Sequence, residues 1–100
     1  MPRTLVFSAL VYDIATVKKA AYRFSDVLSV EITPRSDEIE CVLHFVPQLK
    51  EEGQQDQIVA AFRNEVLDQD LRSIVAKETE AIRNAILAHA LSKTGLQEGE

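Results

Sequence analysis

Leu28-Ser29-Val30-Glu31-Ile32-Thr33-Pro34-Arg35-Ser36-Asp37-Glu38-Ile39-Glu40-Cys41-Val42-Leu43-His44-Phe45-Val46-Pro47 is the stretch on which the fold turns. Leu28, Val30 and Ile32 alternate with Ser29, Glu31 and Thr33, the period of a strand with one buried face. Pro34-Arg35-Ser36-Asp37 is made of turn formers, and beyond it Ile39, Cys41, Leu43 and Phe45 alternate with Glu40, Val42, His44 and Val46. Two alternating runs around a short polar turn predict a hairpin. Pro47 has no N–H to donate, so the second strand stops there or reaches an edge.

Upstream, Thr4 to Tyr12 predicts another strand, with Leu5, Phe7, Ala9 and Val11 on one face. Val6, Leu10 and Tyr12 make its other face apolar as well, as in a strand that is central or covered. Asp13 stands at a helix N-cap position, and Ile14, Val17, Ala20, Ala21 and Phe24 recur at helical spacing before Ser25-Asp26. Downstream, Gln48 to Gln55 is a polar connection, and no Pro or Gly follows Gly53 until Gly95. Ile58, Ala61, Phe62 and Val66 share one helical face. Leu67, Leu71, Ile74, Val75, Ile82, Ile86 and Ala90 share another, displaced in phase. The displacement predicts a break or bend near Leu67-Asp68, with Asp68 or Asp70 capping a second helix that ends at Lys93-Thr94-Gly95.

The expected fold is therefore α+β, in the order β-α-β-β-α-α. A right-handed crossover through the first helix joins strands one and two, and the hairpin sets strand three between them, giving sheet order 1-3-2. We expect a three-stranded mixed sheet with helices mainly on one face, a single domain over residues 1–95, and a flexible tail over 96–100. Val6, Leu10, Val42 and Val46 would make the uncovered face apolar enough for a second subunit, so a homo-oligomer is expected.

Composition removes several function classes. A net charge of -5, from 16 acids and 11 bases, opposes binding to nucleic acid or anionic lipid through phosphate neutralisation. One Cys and two His at unrelated spacings do not make a zinc site, and a lone Cys forms no internal disulfide. No apolar run is long enough to span a bilayer, and the start has no cleavage signal, so a cytoplasmic protein is expected. His44 and His89 show no paired spacing. Cys41 shares a strand face with Ile39 and Leu43 and reads as a small hydrophobe. Lys18, Lys19 and Arg23, joined by Arg35, could form a basic patch, although short basic faces are usually only solvated. Glycine-rich phosphate loops and nucleophile elbows are absent, which favours a binding module over an enzyme and implies no cofactor or metal.

The polar residues around the expected bend are the candidate partner-binding site. Asn64 and Asp68, Asp68 and Arg72, and Thr79 and Arg83 each stand four apart, so each pair can meet across one helical turn. Read structurally, they tie the bend; read functionally, Arg72 and Arg83 offer planar bidentate donors to a partner's acidic groups.

These residues resemble the His-Xaa-Ser system protein HxsD family, small proteins encoded beside radical SAM enzymes. The resemblance covers most of the chain. It is carried by Lys18-Lys19-Ala20-Ala21-Tyr22-Arg23-Phe24, Phe62 with Asn64, Asp68-x-x-Leu71-Arg72, Glu78-Thr79 and Ile82-Arg83. The family signature reads roughly Leu-Leu-Asn-Asp-Tyr-x-Leu-Arg-Glu; this chain keeps Asp68, Leu71 and Arg72 and carries Gln69 for the tyrosine and Ser73 for the glutamate. The resemblance implies a non-catalytic accessory subunit of a peptide-modification system, partnering a radical SAM maturation enzyme, its substrate peptide, or both. A single Cys cannot hold an iron–sulfur cubane, so the radical chemistry would belong to the partner. The competing expectation is a homodimeric regulatory or ligand-binding module unrelated to peptide maturation.

Overall fold

The computed structural model describes residues 2–94. Strand β1 spans Arg3–Ser8, helix α1 Ile14–Arg23, strand β2 Leu28–Arg35, strand β3 Glu38–Phe45 and helix α2 Glu52–Thr94. The sheet order is β1-β3-β2, as the hairpin reading predicted. Leu5 stands opposite Cys41 and Cys41 opposite Ile32, so apolar positions of all three strands lie on one side. The chain falls into two units, Met1–Asp70 and Leu71–Glu100, and the division lies within α2.

The core belongs to the first unit. Leu5 and Phe7 of β1, Leu28 of β2 and Ile39, Cys41 and Leu43 of β3 are buried with Val17 and Ala20 of α1 and Phe62 and Val66 of α2. Both helices therefore cover the same face of the sheet. Phe62 is completely buried and stands edge-on to two rings, Phe7 at 6.1 Å and Phe24 at 5.7 Å between centroids. Burying such a ring contributes about 3 kcal/mol. The ion pairs that flank it, Arg3 with Asp56 and Arg23 Nε with Glu65 Oε2 at 3.1 Å, have exposed members and add little.

The local signals act much as expected around α1. Asp13 takes the extended N-cap conformation, and its backbone carbonyl accepts from the N–H groups of Thr16 and Val17 while its side chain makes no cap bond. The hairpin turn is only Ser36-Asp37, since Arg35 pairs with Glu38. Ser36 adopts φ 23°, which lets a two-residue loop match the strand twist. Pro34 lies inside β2 without disrupting the ladder because β2 is an edge strand.

Four expectations are corrected. β1 stops at Ser8 instead of continuing to Tyr12: Ser8 pairs with Glu38, the first residue of β3, and beyond it the Ala9 N–H donates to the Asp37 carbonyl of the hairpin turn at 2.8 Å. The chain turns there: Ser8 accepts through its carbonyl from Val11 and Tyr12 and through its Oγ from Leu10. The sheet is antiparallel in both ladders, not mixed, because β3 separates the two co-directional strands. The late α-α pair is a single helix α2, so the element order is β-α-β-β-α. Asp68 and Asp70 accordingly lie within a helix and cap nothing, and the change in apolar phase near Leu67 marks the end of core burial at Val66 instead of a break. The predicted tail after Gly95 lies outside the described residues.

Candidate functional site

All five sequence-predicted residues are on α2, and all five are exposed. In the first unit, Asn64 and Asp68 stand one helical turn apart. In the second, Arg72, Thr79 and Arg83 recur at spacings of seven and four, which keeps them on one side of the helix. None lies in the core.

The feature that the sequence concealed lies beside them. Between Leu71 and Leu91 the helix exposes Leu71, Ile74, Val75, Ile82, Ile86, Leu87 and Leu91, each at 43% to 63% of its possible area. Leu71, Ile74, Val75, Ile82 and Ile86 fall within an arc of about 120° at the 100° advance of an α-helix. Arg72, Thr79 and Arg83 border that arc. Scattered exposed aliphatics are ordinary, whereas a contiguous stripe of this length is not. The displaced phase of the aliphatics was the available signal; it was read as a bend because periodic Leu and Ile ordinarily signify a core.

The uncovered face of the sheet is more polar than expected. Arg35 Nη2 pairs with Glu40 Oε1 at 2.9 Å, and His44 Nε2 lies 3.5 Å from Glu31 Oε1. Leu10 has left the sheet for the turn after β1, and Val46 lies past the end of β3, leaving Val6 and Val42 as the apolar part of that face. Of the anticipated basic patch, Lys18 and Lys19 are exposed on α1, Arg23 pairs with Glu65 and Arg35 with Glu40.

Among the described residues, open clefts lie at both ends of the sheet. One, of about 370 Å³, is bounded by Phe45, Val46, Pro47, Leu49 and Gln55; Gln55 Nε2 donates to the Leu49 carbonyl at 2.7 Å and holds the loop. The other, of about 420 Å³, is bounded by Tyr12, Ile14, Pro34, Arg35 and Ile39. Their residues come from separate loops, which no local spacing could have joined. The space between sheet and helices is filled by Phe62, Leu43, Val17 and Cys41. Burial, with the nearby Glu40 charge, pushes the Cys41 thiol up from its usual 9.0 to about 11, an inert protonated group at neutral pH. Among the described residues, no group of three or more His, Cys, Asp or Glu side chains could hold a metal ion, and no helix is long and apolar enough to cross a membrane.

Comparison with known families supplies the context for these surfaces. A family model described as His-Xaa-Ser system protein HxsD matches residues 7–97. The chain belongs to the HxsD family. The match takes in the last two residues of β1, all of α1, the hairpin and α2, and the exposed stripe. HxsD membership associates the chain with the His-Xaa-Ser system. No curated protein and no solved structure matches it.

Proposed function

We propose that this HxsD protein is a non-catalytic accessory subunit that works by association, holding the radical SAM enzyme of its His-Xaa-Ser system, the substrate peptide, or both. The observation that carries this reading is the aliphatic stripe between Leu71 and Leu91, a contiguous exposed apolar surface of the kind that suits association. Arg72, Thr79 and Arg83 beside it supply directional polar contacts, and the arginines suit acidic groups on the enzyme. An extended peptide is accommodated differently, by adding to a sheet edge through backbone hydrogen bonds. β1 is the better edge, because Arg3–Ser8 contains no proline whereas β2 lacks a donor at Pro34.

A purely ligand-binding module is less well supported, since its pocket would be expected between sheet and helices, where side chains fill the space. The test is co-expression of the tagged chain with the radical SAM enzyme encoded beside it, followed by mass determination of the purified complex. The expected result is a stable complex that Arg72→Ala/Arg83→Ala weakens about tenfold or more. A chain that retains neither the enzyme nor the peptide would overturn the proposal.

A further inference from the structure

The ladder fixes which backbone groups on the outer edge of β1 are free. The Ala9 N–H donates to the Asp37 carbonyl at 2.8 Å, in the register that pairs Phe7 with Ile39 and Leu5 with Cys41. In an antiparallel pair the N–H and C=O of one residue point to the same neighbour, and those of the next residue point away from it. Arg3, Leu5 and Phe7 are therefore engaged with β3, while Thr4, Val6 and Ser8 turn their backbone groups outward. The Ser8 carbonyl is taken by Val11 and Tyr12. The N–H and C=O of Thr4 and Val6, with the N–H of Ser8, have no partner among the described residues.

The other edge is closed by the same rule. Val46 donates to the Val27 carbonyl in the register of the β2–β3 ladder, which turns Leu28, Val30, Ile32 and Pro34 outward. Leu28 already donates to Phe24, and Pro34 has no N–H, so the row of donors is blocked at both ends. β1 has the uninterrupted row. Beside it, on the open face, Val6 is 48% exposed and Val42 of β3 lies half-buried on the diagonal. Alternating free donors and acceptors are complementary to an extended backbone, and the two valines to an apolar side chain.

We infer that β1 takes an extended segment of the substrate peptide as a fourth strand, held by the outward backbone groups of Thr4, Val6 and Ser8, with an apolar peptide side chain beside Val6. This rests on the accessory-subunit reading and deepens its peptide part: every second peptide N–H bonds to β1, and the N–H between them points away. A second copy of the chain is the less suited occupant, since two molecules of net charge -5 repel each other.

The test uses the full chain and overlapping twelve-residue segments of the peptide encoded beside it, with binding read by fluorescence anisotropy. Methylating the backbone nitrogens of the bound segment one at a time should weaken binding about tenfold or more at alternate residues and by less than about twofold at those between. Amide hydrogen exchange at Thr4 and Val6 should slow on binding. Val6→Pro should abolish binding with circular dichroism unchanged, because the N–H it removes lies outside the β1–β3 ladder, as does the position of Pro34 in β2. Should that variant fail to fold, the methylation series decides alone. Protection on another element, uniform sensitivity to methylation, or no segment that binds would each overturn the inference, as would protection of Thr4 and Val6 by self-association without peptide. Capture of the radical SAM enzyme by a chain that binds no peptide removes only this inference; loss of both removes the accessory role as well.

Discussion

Cys41 and Ser36 are the two residues at which backbone or burial chemistry makes the sharpest demands. Cys41 has no exposed surface, and its thiol is held protonated up to about pH 11 against a usual 9.0. Below pH 9.0 the thiol is neutral in both folded and unfolded chains and its contribution to stability is complete. Between 9.0 and about 11 the unfolded chain loses the proton while the folded chain keeps it, so stability falls through this window. The difference in urea midpoint between wild type and Cys41→Ala, followed as pH rises, should show this component shrinking; a pH-independent difference would contradict it. Ser36 holds φ at 23° in the hairpin turn, a conformation that costs a side-chain-bearing residue more than glycine. Ser36→Gly should therefore stabilise the protein by about 0.5–1 kcal/mol, read as a raised thermal midpoint.

At the scale of elements, α2 is attached to the sheet by its first half, and Phe62 is the centre of that attachment. Phe62→Ala should cost about 3–5 kcal/mol by denaturant titration, whereas Leu71→Asp, at a site 52% exposed, should leave the unfolding midpoint nearly unchanged. The same contrast explains what could be learned from sequence. The hairpin was legible because one face of each strand is buried, which imposes a period of two on residues 28–33 and 39–45. The end of β1 was not, because Ala9 to Tyr12 are as apolar as the strand itself and only the start of β3 decides where pairing ceases. The candidate residues Arg72, Thr79 and Arg83 were legible as polar positions on a helix. The exposure of Leu71, Ile82 and Ile86 was hidden, since an exposed apolar helix face has the same periodicity as a buried one.

At the scale of the whole molecule, the buried core of the described residues lies before Asp70. A chain ending at Asp70 should retain a cooperative thermal transition and its aromatic circular dichroism; a non-cooperative, molten response would show that the second unit is needed for folding. The sheet order has a consequence for synthesis. β3 is the central strand and the last of the three to be translated. While the chain grows, β1 emerges with Leu5 and Phe7 uncovered and waits through α1 and β2 for a strand to pair with. No part of the ladder can close until Glu38–Phe45 has left the ribosomal tunnel, and when it does, both edges can zip onto it at once. The sheet of the nascent protein therefore cannot form before β3 has emerged, and until then its N-terminal strand lacks the neighbour it pairs with.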